Sequence, residues 1–401
     1  MEITQEQIDN CNKRLKSKRF TRFSAVLKFL SKYDINGRYM FEYGLYARMK
    51  NFICIVCIKI YENEILGSEI DLSLLKENRI YHAYLDLLRN LEMLEESSEI
   101  YSRIKLKEIY VGKNRKLSSI WQDYHYVKDL LSQPELFKTP ISRYIKFLIR
   151  YIIELENISL LNKTEASLSD DFYSDLGEEA FSLFNSKNYA LALKDCISQR
   201  ILDVGCGNGN FIDYFIINNR FTNIVGIEKQ EIVCEHIKNK YSEFPNIRII
   251  QGDVMDIELN ERFDLVNMSY MLFYLSHKEQ KGLFEKLYYL LDDSGQIVFC
   301  QYFPHIESIQ IEIAKQYSNW NYVDKYKFSI SQNILYAEVL LNESLMVFKN
   351  AVRFPEFLLL LSETGFCIRQ IYPADNNFYS FYFCLSKKGK GELDDSSGKS
   401  A

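Results

Sequence analysis

The stretch "ILDVGCGNGNF" (201–211) restricts this chain more than any other segment. An apolar run ends on an acid, Asp203, and Gly205, Gly207 and Gly209 follow at alternating positions. Glycine recurs this way where backbone turns tightly, takes positive φ or lies against a ligand. Apolar strand, glycine turn and amphipathic helix, in that order, open a parallel sheet flanked by helices. Ligands of such sheets sit at the carboxyl edge, where free amides and a helix start face a polar group.

The texture downstream agrees. From residue 199 short apolar runs alternate with amphipathic segments. "RILDVG", "NIVGIE", "IRIIQGD", "FDLVNMS" and "GQIVFCQ" read as strands, with helices starting near Phe211, Glu231 and Lys278. "CIRQIYP" and "SFYFCLSKK" read as an antiparallel pair closing the sheet. The expected fold class is α/β, a Rossmann-like sheet behind a mainly helical N-terminal region.

The glycine turn discriminates between ligands. A dinucleotide site wants GxGxxG, and position 210 is Asn. Asp203 also adds negative charge where a pyrophosphate would lie. It suits a ligand with a positive amine and no phosphate, and S-adenosylmethionine is one. Glu228 ends the second strand, where a carboxylate takes ribose hydroxyls. Asp253 ends the third, where a carboxylate accepts from an adenine amine. The candidate cofactor set is Asp203, Gly205, Cys206, Gly207, Glu228, Lys229, Asp253, Val254, Asn267 and Met268.

Residues 199–302 resemble a class I S-adenosylmethionine-dependent methyltransferase. The resemblance is carried by "LDVGCGNG", the acid in "GIE", "GDVMD", "FDLVNMSYMLFYL" and "LLDDSGQIVF". "FPEFLLLLSETGFCIRQIYP" resembles the last helix and strand of that family. The resemblance implies a seven-stranded sheet and S-adenosylmethionine as cofactor. "YLDLLRNLEMLEESSEIYSRIK" resembles the winged-helix domain of small-molecule methyltransferases, which implies a homodimer formed through it and a small-molecule acceptor, with O-methylation favoured and N- or C-methylation as alternatives. A protein or carrier-bound acceptor, or a non-catalytic cofactor-binding scaffold, are the rival readings.

Relatives of this architecture place a catalytic His after the fourth strand, and Phe273 stands there in "LFYLSHKE". The role therefore does not transfer. His305, just past the fifth strand, is the first alternative base, and Tyr270 and Tyr274 are further catalytic candidates. An amine or acidic carbon needing little base help is the other way out. Tyr173, Phe273, His277 and Trp320 are candidate acceptor contacts, aromatic faces suiting a sulfonium and an apolar acceptor. No metal is expected, because the spacing of His277 and His305 does not resemble a ligand pair.

Four segments are expected: a winged-helix-like dimerisation domain over 1–110, a helical connector and active-site cover over 111–195, the methyltransferase domain over 196–388, and a disordered tail over 389–401. Asp71 and Ser73 sit where helix caps are favoured, Ile80, Tyr84, Leu87, Leu88, Leu91 and Leu94 recur at helical spacing, and a short hairpin follows: helix, helix and wing, with Arg89 on the second helix. Arg89 is its one base-reading candidate, flanked by Asp86, Glu92, Glu95 and Glu96, and the net charge is −5; no nucleic-acid partner is expected. No membrane partner is expected either, since "NFICIVCIKI" (51–60) has half the length of a span. Nine cysteines among apolar neighbours suit a reducing cytoplasm, and the Cys54/Cys57 pair reads as core packing.

Overall fold

The computed structural model describes residues 37–66, 78–95, 104–111, 115–137, 140–158, 160, 186–194, 200–218, 223–303, 322–345, 348, 350–374 and 380–389. The helices among these are α1 (Gly37–Ile60), running on as a π-helical turn over Tyr61–Leu66, α2 (Arg79–Asn90), α3 (Glu108–Val111), α4 (Arg115–Leu130), α5 (Pro140–Ile153) and α6 (Ser186–Ala192), then α7 (Asn210–Ile217), α8 (Glu231–Lys240), α9 (His277–Leu290), α10 (Tyr322–Ser344) and α11 (Phe354–Glu363).

Seven strands form one sheet: β1 (Arg200–Val204), β2 (Asn223–Glu228), β3 (Ile247–Gln251), β4 (Phe263–Ser269), β5 (Leu291–Tyr302), β6 (Phe366–Pro373) and β7 (Ser380–Lys387). Their order is β3-β2-β1-β4-β5-β7-β6. The first five are parallel, and β7 runs antiparallel to both β5 and β6. This is the Rossmann-like sheet the sequence led us to expect, with the closing antiparallel pair in place. The order reverses at β1, between β2 and β4, which opens a crevice at the carboxyl edge.

Strand alternation sends side chains to two faces. Leu202, Val204, Val266, Met268, Ile297 and Phe299 pack with Leu283, Phe284 and Leu287 of α9 and Phe357 of α11. Ile201, Leu265, Val298 and Cys300 pack with Tyr189 and Ala192 of α6, Ile212 and Phe215 of α7 and Ile237 of α8. Helix α9 begins at a full capping box, Ser276 with Glu279.

A second core holds the N-terminal helices. The apolar run 51–60 lies inside α1 and is buried there along with Cys54 and Cys57. Burial pushes the Cys54 thiol up to about 12. No described helix is long and apolar enough to cross a membrane. Ile334, Leu335, Leu340 and Leu341 of α10 join this core, as does Tyr302 at the end of β5. Helix α10, which the sequence reading put within the 196–388 segment, therefore packs on the N-terminal helices and fastens them over the carboxyl end of β5.

Helix α2 starts at Arg79. Asn78 caps it, its Oδ1 accepting from the Ile80 and Tyr81 amides, while its Nδ2 donates to the Leu160 carbonyl at 2.6 Å. That long-range bond fixes which polar residue becomes the cap; Asp71 and Ser73 lie outside the described residues. The helix ends at Asn90, so Leu91 is its C-cap and Leu94 sits on an antiparallel bridge to Leu106. That bridge falls where a hairpin was expected, and the hairpin tip lies outside the described residues.

Candidate functional site

Asp203 and Asn267 are register partners across β1 and β4, at the point where the strand order reverses. Both are buried, Asp203 being 1% exposed. The Asn267 amide donates to Asp203 Oδ1 at 2.7 Å, and Oδ2 has no hydrogen-bond partner among the described residues. Burial raises the Asp203 carboxyl to about 7, opposed by the Asn267 bond and assisted by the nearby Glu228 charge. A buried carboxylate with one orphaned oxygen is costly, and a cationic donor reaching that oxygen removes the cost.

The three glycines all have positive φ: +67° at Gly205, +50° at Gly207 and +77° at Gly209. They differ in what surrounds them. A Cβ at Gly205 would strike the Met271 thioether, and one at Gly209 would strike the Tyr241 ring. At Gly207 it would meet nothing closer than the Gly205 carbonyl at 4.0 Å. The turn is thus packed from behind by Tyr241 and open at its middle, as a cradle for a close-approaching ligand must be.

Glu228 stands beside that opening. Its Oε2 accepts from the Gly207 amide at 3.1 Å and its Oε1 from the Gln230 amide at 2.8 Å. Two backbone donors therefore hold the carboxylate in one orientation at the β2 tip. Asp253 follows β3; its Oδ1 accepts from the Met255 amide and its Oδ2 from Lys229 Nζ, both at 2.9 Å. The Met255 amide first, then Lys229, hold its carboxyl below the usual range. The Gly252 amide donates to the Glu228 carbonyl at 2.9 Å, tying the two acidic tips together. Asp203, Glu228 and Asp253 thus line successive strand ends, and their chemistry suits an ammonium, a ribose diol and an aromatic amine. That set of acceptors fits S-adenosylmethionine.

The remaining expected residues divide. Cys206 is buried beneath the turn with its thiol against Gly226, and Val254 is buried in the sheet core. The Met268 side chain lies in the core on the α9 face, and Asn267 bonds Asp203. Tyr270 has φ +54° just past β4, and its hydroxyl bonds Ser380 of β7. Phe273 is buried against Phe348, ring centroids 4.5 Å apart, while Tyr274 is exposed. His277 is exposed as the first residue of α9. Tyr173, His305 and Trp320 lie outside the described residues. Tyr189 was missed by the sequence reading: its hydroxyl donates to Asn267 Oδ1 at 2.9 Å. Only the approach of α6 to the sheet shows this, and no motif marks it.

Residues 201–295 match the family model described as a methyltransferase domain. The "Putative methyltransferase 235L" of Invertebrate iridescent virus 6 is 24% identical over 205 residues, 44% of this chain and 71% of that protein. A malonyl-[acyl-carrier protein] O-methyltransferase of Ilyobacter polytropus is 33% identical over 25% of this chain. Nodulation protein S of Azorhizobium caulinodans is 25% identical over 29% of it. The chain spans only 36% and 57% of the length of these last two. Among solved structures, N-methyltransferase NodS from Bradyrhizobium japonicum aligns at 12% identity and TM-score 0.36, over 51% of this chain and 94% of that one. An S-adenosylmethionine-dependent methyltransferase from Clostridium acetobutylicum aligns at 12% identity and TM-score 0.39, over 55% of this chain and 99% of that one.

Proposed function

Given a class I S-adenosylmethionine-dependent methyltransferase domain in this chain, we propose that the protein transfers a methyl group from that donor to a small-molecule acceptor. The observation that carries the reading is the buried Asp203, one oxygen without a partner among the described residues, beside a glycine turn that opens at Gly207 and faces Glu228. The donor supplies a methyl already activated on a sulfonium. What is left to the chain is to hold the amine at Asp203 and the ribose at Glu228, align the acceptor and exclude water.

The helical layer fastened by α10 over β5 supports placing the acceptor beneath it. Oxygen is our favoured acceptor atom, with nitrogen or carbon as alternatives, and His305 our proposed base. Phe273 is packed away in an aromatic cluster, which supports a base elsewhere or an acceptor that needs none. A homodimer formed through the N-terminal helices and a cytoplasmic location belong to the same proposal. A carrier-bound acceptor is the second reading, favoured by the similarity to the acyl-carrier-protein O-methyltransferase.

Two measurements test this. Calorimetry with S-adenosylmethionine should show binding to the wild type and at least about tenfold weaker binding to Glu228→Ala, through loss of charge-assisted hydrogen bonds. Unchanged affinity in the variant would remove Glu228 from the site. A cell extract incubated with methyl-labelled donor should yield a small labelled product. Label on protein alone would favour the carrier-bound reading, and no label would defeat turnover.

A further inference from the structure

We propose that Tyr189, acting through Asn267, favours the charged form of Asp203 and so sets how tightly the site holds a cationic amine. The proposal rests on reading that turn as an S-adenosylmethionine site, and it makes Tyr189 and Asn267 positioning residues.

The three side chains form one buried chain of hydrogen bonds. The Tyr189 hydroxyl donates to Asn267 Oδ1 at 2.9 Å, and Asn267 Nδ2 donates to Asp203 Oδ1 at 2.7 Å. An ionised carboxylate only accepts, so it needs the NH2 end of the amide. Tyr189 donates to the other end, so hydroxyl and carboxylate together hold the amide in this orientation. With the hydroxyl gone, Asn267 Oδ1 loses this donor and the amide is freer to rotate. A rotated Asn267 would offer its oxygen to Asp203, which only a protonated Asp203 can satisfy.

Tyr189 is well placed to impose this. Its ring is buried among Phe211, Tyr214, Phe215 and Tyr382. Its helix, α6, is pinned to the sheet: Asn188 Nδ2 donates to the Pro373 carbonyl at 2.8 Å and Gln296 Nε2 to the Ala192 carbonyl at 2.7 Å. The helix lies ahead of residues 201–295, so this part of the site stands outside the segment that matches the methyltransferase family.

Among the described residues, the other titratable groups coupled to Asp203 are Glu228, Cys206 and Tyr241. Glu228 of β2 raises the Asp203 carboxyl, as burial does, while Asn267 of β4 lowers it. Cys206 in the turn and Tyr241 of α8 each feel the Asp203 charge, and burial raises both of them out of the neutral range. The Tyr241 hydroxyl is engaged with the Gly209 carbonyl and Asp213. The charge of Asp203 near neutral pH is thus set between Glu228, which opposes it, and the Asn267 amide that Tyr189 orients.

Tyr189→Phe keeps the ring packing and removes only the hydroxyl; with Asn267 Oδ1 left unpaired it should still fold, melting roughly 2–8 °C below wild type. In the ligand-free protein, the infrared band of the protonated Asp203 carboxyl is identified by its absence in Asp203→Asn. In Tyr189→Phe that band should persist to higher pH, its midpoint moving up by roughly 0.5–1 unit, the worth of one hydrogen bond. S-adenosylhomocysteine keeps the amine without the transferable methyl, so calorimetry with it reads binding alone. The variant should bind it roughly 3–10-fold more weakly at pH 6 and equally at pH 9, where both proteins are ionised. Coincident titrations with wild-type affinity at both pH values would overturn the relay while leaving the cofactor site standing. A wild type that binds no S-adenosylhomocysteine would overturn the site reading and the proposal together.

Discussion

Asp203 destabilises the fold that carries it. Its carboxyl is raised from 3.8 to about 7 by burial, so between those values the folded chain holds a proton that the unfolded chain has released. Stability therefore falls as pH rises from about 4 to about 7, and the deficit is complete above that range. Asp203→Asn removes the deficit and keeps an acceptor for Asn267. The variant should be more stable than wild type at pH 8 by about 1–3 kcal/mol, with the gap closing toward pH 4, as read by urea unfolding at both pH values. It should also lose donor binding, the usual trade between stability and a strained site. A wild type whose stability is flat from pH 4 to 8 would contradict the assignment. Asp203, Glu228 and Asp253 were legible because acids at strand ends are a local pattern. Tyr189 was not, because its partner Asn267 lies on a different strand and only the folded sheet brings them together. Asn267 was picked out as a cofactor candidate, and its buried amide bonds Asp203.

At the scale of elements, the turn after β4 is organised by one side chain. Gln280 of α9 is buried, and its amide nitrogen lies within 3.0 Å of the carbonyls of Leu272, Leu275 and Asn350. It joins the loop that bears Phe273 and Tyr274 to the segment ahead of α11. Gln280→Leu should cost about 1–3 kcal/mol by leaving buried carbonyls unpaired, seen as a lower urea midpoint with an unchanged slope. A midpoint equal to wild type would show that the loop does not depend on it. Alternation and helical spacing revealed every strand of the sheet and the starts of α7, α8 and α9, because those signals are local. The start of α2 was not readable, since its cap is chosen by the contact of Asn78 with Leu160.

At the scale of the whole molecule, the N-terminal helices and the sheet share material. Helix α10 follows β5 in the chain, yet buries Leu335 and Leu340 in the core built by α1, α2, α4 and α5. Arg79 of α2 pairs with Glu343 of α10, Nε to Oε2 at 2.9 Å, and Asn90 Nδ2 donates to Asn333 Oδ1 at 2.9 Å. Sequence periodicity shows that α10 has apolar positions to bury; it does not say in which core. The consequence for function is that the helical layer is held over the same carboxyl edge where the acids stand. The most direct test is a crystal structure of the protein grown with saturating S-adenosylhomocysteine. The account predicts the ligand across the β1, β2 and β3 tips, its ribose hydroxyls on Glu228 and its amine beside Asp203. A ligand bound elsewhere, or those strand tips empty at saturation, would contradict it.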